Sequence, residues 1–207
     1  MNAHIGILGG TFNPIHIGHL VIGRAAAEAA GMDRVLLLPC AVSPFKVGIR
    51  GMAPGTDRLE MVRRSVAGDP LFEPCALELE RGGVSYAVES VRALRALYPG
   101  ARLSFIIGGD SLRELGHWHQ IDELLGLCEV VAVRRPGVEV PACASELPFP
   151  RPVAERLLAN VVQGRPCEVS STEIRRRIAE GRSIRYLVSP AVEAYIRERG
   201  LYAAGNE

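Results

Sequence analysis

The sequence predicts an α/β protein with a Rossmann-like, doubly wound and mostly parallel sheet and a small helical C-terminal part. Short apolar runs alternate with helix-like segments along most of the 207 residues, which favours repeated βαβ units. The length suits one domain that can bury a full core. We therefore expect residues 1–207 to form a single domain, with the helical part at about 170–207 completing its main site.

The first half of the chain supplies three of the predicted strands. Four consecutive apolar residues at Val35–Leu38 are typical of a strand buried on both faces. A loop rich in small residues and proline follows, up to Pro54. The predicted elements are a strand at Ile5–Leu8, a helix at Leu20–Ala30, a strand at Val35–Leu38, a helix at Asp57–Ala67 and a weaker strand at Cys75–Leu79.

The second half continues the alternation and ends in helices. A serine cap and the stop Tyr98-Pro99-Gly100 delimit a helix at Ser85–Leu97, and a capping-box pattern at Ser170–Glu173 begins a helix that runs to about Glu180. The other predictions are strands at Leu103–Ile107 and Val130–Val133, a proline-rich surface loop at Gly137–Pro152, an apolar segment at Val161-Val162, and a last helix that Ser189-Pro190 begins and Gly200 ends.

Composition limits the classes of function. The formal net charge of +1 gives no reason to expect nucleic acid or a membrane surface as a partner. Five scattered cysteines without a C-x-x-C pair favour reduced thiols over a disulfide framework or zinc site. No apolar run reaches the roughly 18 residues that cross a bilayer. These observations predict a cytoplasmic protein in which any recognition of phosphate is local. They leave its oligomeric state open, a homo-oligomer included.

The stretch Gly9–His19, GGTFNPIHIGH, is the most informative part of the chain. A strand, a glycine-rich turn and a helix start place backbone N–H groups and a positive helix end at one point, which suits a phosphate. His16 and His19 lie three residues apart, so both can face that anion. Gly18 leaves room for a close approach. Neither a Walker loop nor the G-x-G-x-x-G fingerprint is present.

Three more clusters follow predicted strands or open a helix. The second cluster, Pro39–Lys46, contains Lys46, which could reach a phosphate or be a solvated surface lysine. The third, Phe105–Ser111, ends in Asp110-Ser111, and Asp110 could accept hydrogen bonds from ribose hydroxyls or cap a helix. Trp118, a little further on, could stack on a heteroaromatic base or pack in the core. The fourth cluster, Ser170–Arg175, combines hydroxyls, helix N–H groups and a guanidinium in a second anion site, although an ordinary capped helix explains the capping equally well. We expect the clusters to form one composite site.

These motifs resemble the H-x-G-H nucleotidyltransferase superfamily and, within it, bacterial nicotinate-nucleotide adenylyltransferases. The resemblance covers nearly the whole chain and includes, in order, Asp57-Arg58, Ser85-Tyr86, Gly109-Asp110-Ser111, Trp118, Arg134-Arg135-Pro136 and Ser170–Arg175. This chain departs from the usual family pattern by having Asn13 for Asp, Phe45 for His and Ala87 for Thr.

The resemblance implies adenylyl transfer from ATP, with Mg²⁺, to nicotinate mononucleotide, which yields deamido-NAD and pyrophosphate. It assigns the catalytic phosphate contacts to His16, His19, Lys46 and Arg175. The residues that it assigns to ATP are Gly9, Gly10, Thr11, Phe12, His16, His19, Ser170, Ser171, Thr172 and Arg175. Those that it assigns to the mononucleotide are Lys46, Ser85, Tyr86, Ala87, Asp110, Trp118, His119 and Arg134, with the pyridine ring on Trp118 and its carboxylate on the backbone N–H groups of Ala87 and His119.

No residue is expected to ligate a metal directly, because Mg²⁺ keeps its hydration and binds phosphate oxygens. A metal pair at His117 and His119 lacks a third ligand at suitable spacing. Three other functions share parts of the pattern: pantetheine-phosphate adenylyltransferase, class I aminoacyl-tRNA synthetase, and a module that senses ATP without turnover. Chain length, the Gly109–Trp118 block and the retained cationic residues favour the pyridine-nucleotide enzyme.

Overall fold

A computed structural model describes residues 2–44, 51–135, 137 and 139–203. Its described part contains a six-stranded sheet in the order β3-β2-β1-β4-β5-β6. The pairs β1–β4, β4–β5 and β5–β6 are parallel. The strands are β1 His4–Gly10, β2 Arg34–Pro39, β3 Phe72–Pro74, β4 Arg102–Gly108, β5 Glu129–Arg134 and β6 Val161–Gln163.

Helices connect the strands and continue to the end of the described chain. The α-helices are α1 Ile17–Ala30, α2 Gly55–Ser65, α3 Leu77–Arg81, α4 Ala87–Leu97, α5 Ile121–Leu127, α6 Arg151–Ala159, α7 Ser171–Ala179 and α8 Pro190–Arg199. Short 3₁₀ turns lie at Gly109–Leu112, Leu115–His117 and Ala144–Glu146. None of the helices in the described ranges is long and apolar enough to cross a membrane.

The strand order is that of a Rossmann-like fold, so the predicted fold class is confirmed. The order reverses between β1 and β4, which makes this pair the topological switch point of the sheet. Ligands of such sheets bind beyond the carboxyl ends of the strands. The motif Gly9–His19 follows β1, and Gly109-Asp110-Ser111 follows β4.

The central strands are buried along their length, as their composition predicts. Ile5 and Ile7 of β1 and the run Val35–Leu38 of β2 have no exposed surface. A parallel strand covered on both faces needs apolar residues at successive positions, not at alternate ones. The apolar runs in the sequence therefore locate β1, β2, β4 and β5 to within one or two residues.

Two local predictions are wrong. The expected strand at Cys75–Leu79 is displaced: β3 lies earlier, at Phe72–Pro74, and α3 begins at Leu77. Ser85 does not cap α4, whose N-cap is Tyr86 without a side-chain hydrogen bond. The Ser85 Oγ instead accepts the backbone N–H of Ala41 at 3.0 Å, and this tertiary bond takes the place of the cap.

The chain divides into two compact units. The first comprises Met1–Gly9, Val21–Leu36 and Tyr86–Pro166. The second comprises Gly10–Leu20, Leu37–Ser85 and Cys167–Glu207. Each unit is built from segments that are distant in sequence, and each contains predicted site residues.

Candidate active site

The opening loop, Gly10–Pro14, has an unusual backbone at its centre. Phe12 has a backbone φ of +46°, a value that residues other than glycine rarely adopt. Its side chain is almost fully buried, and its ring meets that of His19 edge-on with centroids 4.9 Å apart. A Cβ at Gly10 would come within 3.1 Å of the Phe12 ring, so this glycine permits the turn that places Phe12 against His19.

The two histidines of the motif stack on each other. Their ring centroids are 3.7 Å apart with an interplanar angle of 31°. The backbone N–H of His16 donates to Nδ1 of His19 at 3.2 Å. Because Nδ1 accepts this bond, the neutral His19 ring carries its proton on Nε2. His19 can therefore donate a hydrogen bond to a phosphate oxygen through Nε2.

Gly18 has a structural reason that the sequence does not reveal. A Cβ at this position would come within 3.0 Å of Nδ1 of His16 and 3.4 Å of the backbone oxygen of Val169. A larger residue would make the His16 ring or the segment before α7 shift by a few tenths of an ångström. Packing therefore favours glycine here, in addition to the expected room for a phosphate.

The start of α7 contacts the opening loop directly. Ser170 caps the helix by accepting the N–H of Glu173 at 3.2 Å, as the capping pattern predicts. The Ser171 hydroxyl donates to the backbone oxygen of Pro14 at 2.9 Å. Arg175 donates through Nη1 to the backbone oxygen of Asn13 at 2.7 Å. The second unit therefore brings together the predicted phosphate ligands of the loop and of the Ser170–Arg175 segment.

The first unit contains an aromatic group around Trp118. The Trp118 ring is half-buried and perpendicular to that of Phe105 in β4, with centroids 5.8 Å apart. Tyr86 and His119 stack at 4.2 Å with an interplanar angle of 34°. Ala87, the first residue of α4, follows directly. Since the Tyr86 side chain does not cap this helix, the first N–H groups of α4 can donate hydrogen bonds to an anion.

Asp110 lies in an ion pair that the sequence did not predict. Its carboxylate accepts Nη2 of Arg135 at 2.9 Å and remains about half exposed. The adjoining 3₁₀ turn has Gly108 at its N-cap position, so Asp110 does not act as a side-chain cap. Arg134, the arginine expected at the mononucleotide site, ends β5 and is exposed.

Ser85 of the expected site hydrogen-bonds to the segment after β2. Its backbone N–H donates to the oxygen of Val42 at 2.8 Å. Lys46, the expected phosphate contact, and Phe45 lie outside the described residues, so their assignments stay predictions. The described part of the chain has no cluster of three or more His, Cys, Asp or Glu side chains that could hold a metal ion.

Two polar side chains that the sequence does not assign to the site, Arg58 and Tyr202, hydrogen-bond to the opening loop. Arg58 is 2% exposed and donates to the backbone oxygen of Thr11 at 2.7 Å. The Tyr202 hydroxyl donates to Oδ1 of Asn13 at 2.7 Å. The sequence identifies Asp57-Arg58 only as part of the family resemblance. Nothing in the local sequence links Tyr202 to Asn13, 189 residues away.

Comparison with known proteins defines the class. A family model described as cytidylyltransferase-like matches residues 7–177, which contain the opening loop, both histidines and Arg175. The chain belongs to the cytidylyltransferase-like family.

Individual relatives are more specific. A protein of Pelobacter propionicus named "probable nicotinate-nucleotide adenylyltransferase" is 42% identical over 96% of this chain and 98% of its own length. A protein of Roseiflexus with the same name is 41% identical over 97% and 98% of the two chains. The Plasmodium falciparum nicotinic acid mononucleotide adenylyltransferase complexed with NaAD has the same fold, with a TM-score of 0.71 at 15% identity over 97% of this chain and 98% of that one.

Proposed function

We propose that this chain is a nicotinate-nucleotide adenylyltransferase that transfers the adenylyl group of ATP to nicotinate mononucleotide. The products are deamido-NAD and pyrophosphate, and the reaction is a step of NAD biosynthesis. The observation that carries the proposal is the contact of Ser171 and Arg175 with the opening loop. It concentrates imidazole, hydroxyl and guanidinium groups in the second unit, where a triphosphate needs them.

The reaction needs no nucleophile from the protein. A phosphate oxygen of the mononucleotide attacks the α-phosphorus of ATP, and the bond from that phosphorus to the bridging oxygen of the β-phosphate breaks. The protein must align the reactants and stabilise the negative charge that develops on the transferred group and on pyrophosphate. His19 contributes the Nε2 hydrogen-bond donor that its tautomer provides, and His16 supports its ring. Lys46 and Arg175 supply positive charge.

ATP enters as its Mg²⁺ complex in this proposal. The ion is carried by phosphate oxygens and water, because Mg²⁺ gives up its hydration reluctantly. Residues 1–207 act as one catalytic domain in a cytoplasmic protein, with residues 170–207 completing the ATP half.

Most of the residues that the proposal assigns to the mononucleotide belong to the first unit, whereas Ser85 belongs to the second. Trp118 stacks on the pyridine ring, and Asp110 accepts hydrogen bonds from the ribose hydroxyls. Arg134 also contacts the mononucleotide. The pyridine carboxylate accepts the backbone N–H groups of Ala87 and His119. A carboxamide would direct its NH₂ group at a donor and leave a buried polar group unpaired, at a cost of about 1–3 kcal/mol. The loss of charge-assisted hydrogen bonding adds to this cost.

Pyrophosphate release with ATP and either nicotinate or nicotinamide mononucleotide tests the proposal. We expect kcat/KM for the acid to exceed that for the amide by on the order of 10²-fold or more. Comparable values would contradict the carboxylate pocket. Turnover with phosphopantetheine instead would indicate the related adenylyltransferase, and ATP binding without pyrophosphate release would indicate a sensing module.

A further inference from the structure

Three backbone carbonyl oxygens of the opening loop accept hydrogen bonds from side chains of two helices, α2 and α7. Arg58 of α2 binds the oxygen of Thr11, Arg175 of α7 binds that of Asn13, and Ser171 binds that of Pro14. In a trans peptide the C=O and the following N–H point in opposite directions. The bond from Arg58 to Thr11 therefore directs the N–H of Phe12 away from Arg58.

The Asn13 side chain is fixed in the same way. It is 5% exposed, and its Oδ1 accepts both the backbone N–H of Ala53 at 3.0 Å and the Tyr202 hydroxyl at 2.7 Å. Burial raises the pKa of the Tyr202 phenol, so the hydroxyl stays protonated and donates. Tyr202 follows α8, so a residue late in the chain holds a loop that follows the first strand.

Arg58 is a buried charge with neutral acceptors. The acceptors found for it in the described chain are the backbone oxygens of Thr11 and Ala53, the latter at 3.1 Å from Nε. A buried guanidinium is costly unless its hydrogen bonds are satisfied. Carbonyl oxygens satisfy these bonds without cancelling the charge. The guanidinium of Arg58 therefore keeps its charge beside the loop, while the adjoining Asp57 carboxylate bonds to Tyr195 and Arg199.

We propose that Arg58 and Tyr202 are positioning residues for the triphosphate of ATP: together they fix the opening loop from behind, and Arg58 adds a buried positive charge. This inference rests on the proposed function and names two residues to which that function assigns no role. They act through the loop and do not touch the substrate. They belong to the ATP side of the reaction and leave mononucleotide binding unchanged.

Calorimetric titration of Mg²⁺-ATP into the full chain tests this without requiring turnover. Tyr202→Phe removes one hydroxyl and should weaken ATP binding roughly 3- to 10-fold, as expected for one hydrogen bond. Arg58→Lys keeps a charge but loses the planar fork that spans two carbonyls, and should weaken it at least as much. The affinity for nicotinate mononucleotide should remain unchanged in both variants.

Tyr195→Phe is the matched control. It also removes a hydrogen-bonded tyrosine hydroxyl, but this one donates to Asp57 Oδ1 at 2.7 Å and not to the opening loop. It should reduce the melting temperature without a selective effect on ATP. In the Asn13→Ala background, Tyr202→Phe should have no further effect on ATP affinity.

Three results would overturn the inference: unchanged ATP affinity in both folded variants, equal weakening of both substrates, or a loss in Tyr195→Phe as large as that in Tyr202→Phe. If Arg58→Lys fails to fold, Tyr202→Phe and the Asn13 background decide the matter alone. If the unmodified protein binds ATP but does not turn it over, the proposed function fails while this test still stands.

Discussion

The proton position on His19 is the most consequential detail at the scale of single residues. An imidazole stabilises a developing phosphate charge only if a nitrogen that bears a proton faces it. The backbone N–H of His16 occupies Nδ1 of His19, so the neutral ring already carries its proton on Nε2. His19 thus need not be protonated at neutral pH to act as a donor.

His19→Ala should lower kcat by roughly 10²-fold or more, since one preorganised hydrogen-bond donor has that effect in a catalytic site. The fold should persist, as judged by circular dichroism and melting temperature. His117→Ala is the control, because His117 is exposed and contacts Glu114 at 3.2 Å. A folded His19 variant with near-normal turnover would refute the role, and lost stability with unchanged specific activity would identify a structural histidine.

Trp118→Ala should weaken both mononucleotides by about 1–3 kcal/mol, the usual value of a stacked aromatic ring. The acid preference should largely survive, since backbone N–H groups, not the indole, recognise the carboxylate. Competition binding with the acid and the amide measures both quantities. If the preference disappears with the ring, recognition of the carboxylate depends on Trp118 itself.

At the scale of secondary-structure elements, α7 performs two tasks with one face. Ser171 and Arg175 lie four residues apart, which places them on the same side of the helix, and both donate to backbone oxygens of the opening loop. A change at Arg175 therefore removes positive charge and also loosens the loop. Both effects are expected at the ATP site and not at the mononucleotide site.

Arg175→Ala should raise KM for ATP or lower kcat, with a much smaller effect on mononucleotide affinity. Steady-state kinetics with each substrate varied in turn separates the two. Arg176→Ala, which changes the exposed neighbouring arginine, is the matched control. An equal loss for both substrates would favour a general structural role for α7.

The sequence predicts those elements whose signals are local. Buried strands have continuous apolar runs, and Ser170, Ser189 and Gly200 delimit their helices as expected. It misses elements whose cause is tertiary. Ser85 has the composition of a cap but bonds to Ala41, and α3 occupies a segment in which the weak apolar pattern at Cys75–Leu79 suggested a strand.

The same distinction applies to the site. The motif from Gly9 to His19 is contiguous, so pattern alone indicates its chemistry. Arg58 and Tyr202 reach the opening loop from 47 and 189 residues away, and no spacing rule connects them. The Asp110–Arg135 pair is another case, because two adjacent arginines offer equivalent chemistry and only the geometry selects between them.

At the scale of the whole molecule, buried thiols and phenols make stability sensitive to alkali. Burial raises the pKa of Cys128 to about 12, and it raises the pKa of Cys75 as well. In the unfolded chain a thiol ionises near 8.5. Between these values the folded state binds more protons than the unfolded state, so the free energy of unfolding falls as pH rises.

Denaturant unfolding at a series of pH values should therefore show stability falling from about pH 9 towards pH 12, by about 1 kcal/mol per pH unit for Cys128 alone. Cys128→Ser removes the titrating group and keeps a donor for the Leu124 oxygen, which Sγ approaches at 3.5 Å. This variant should have a shallower slope. An unchanged slope would show that Cys128 does not control alkaline unfolding.

The discontinuous make-up of the second unit has a consequence for biosynthesis. The loop after β1 and Arg58 leave the ribosome early, but Arg175 and Tyr202, which bind that loop, belong to Cys167–Glu207. Translation at roughly 5–20 residues per second separates Arg58 from Tyr202 by about 7–29 s. During this interval the nascent chain has the histidine motif and Arg58 but not all of the later donors, Ser171, Arg175 and Tyr202, that hold the loop. We expect a ribosome-bound chain arrested before α7 to lack ATP affinity, however well its first unit has folded.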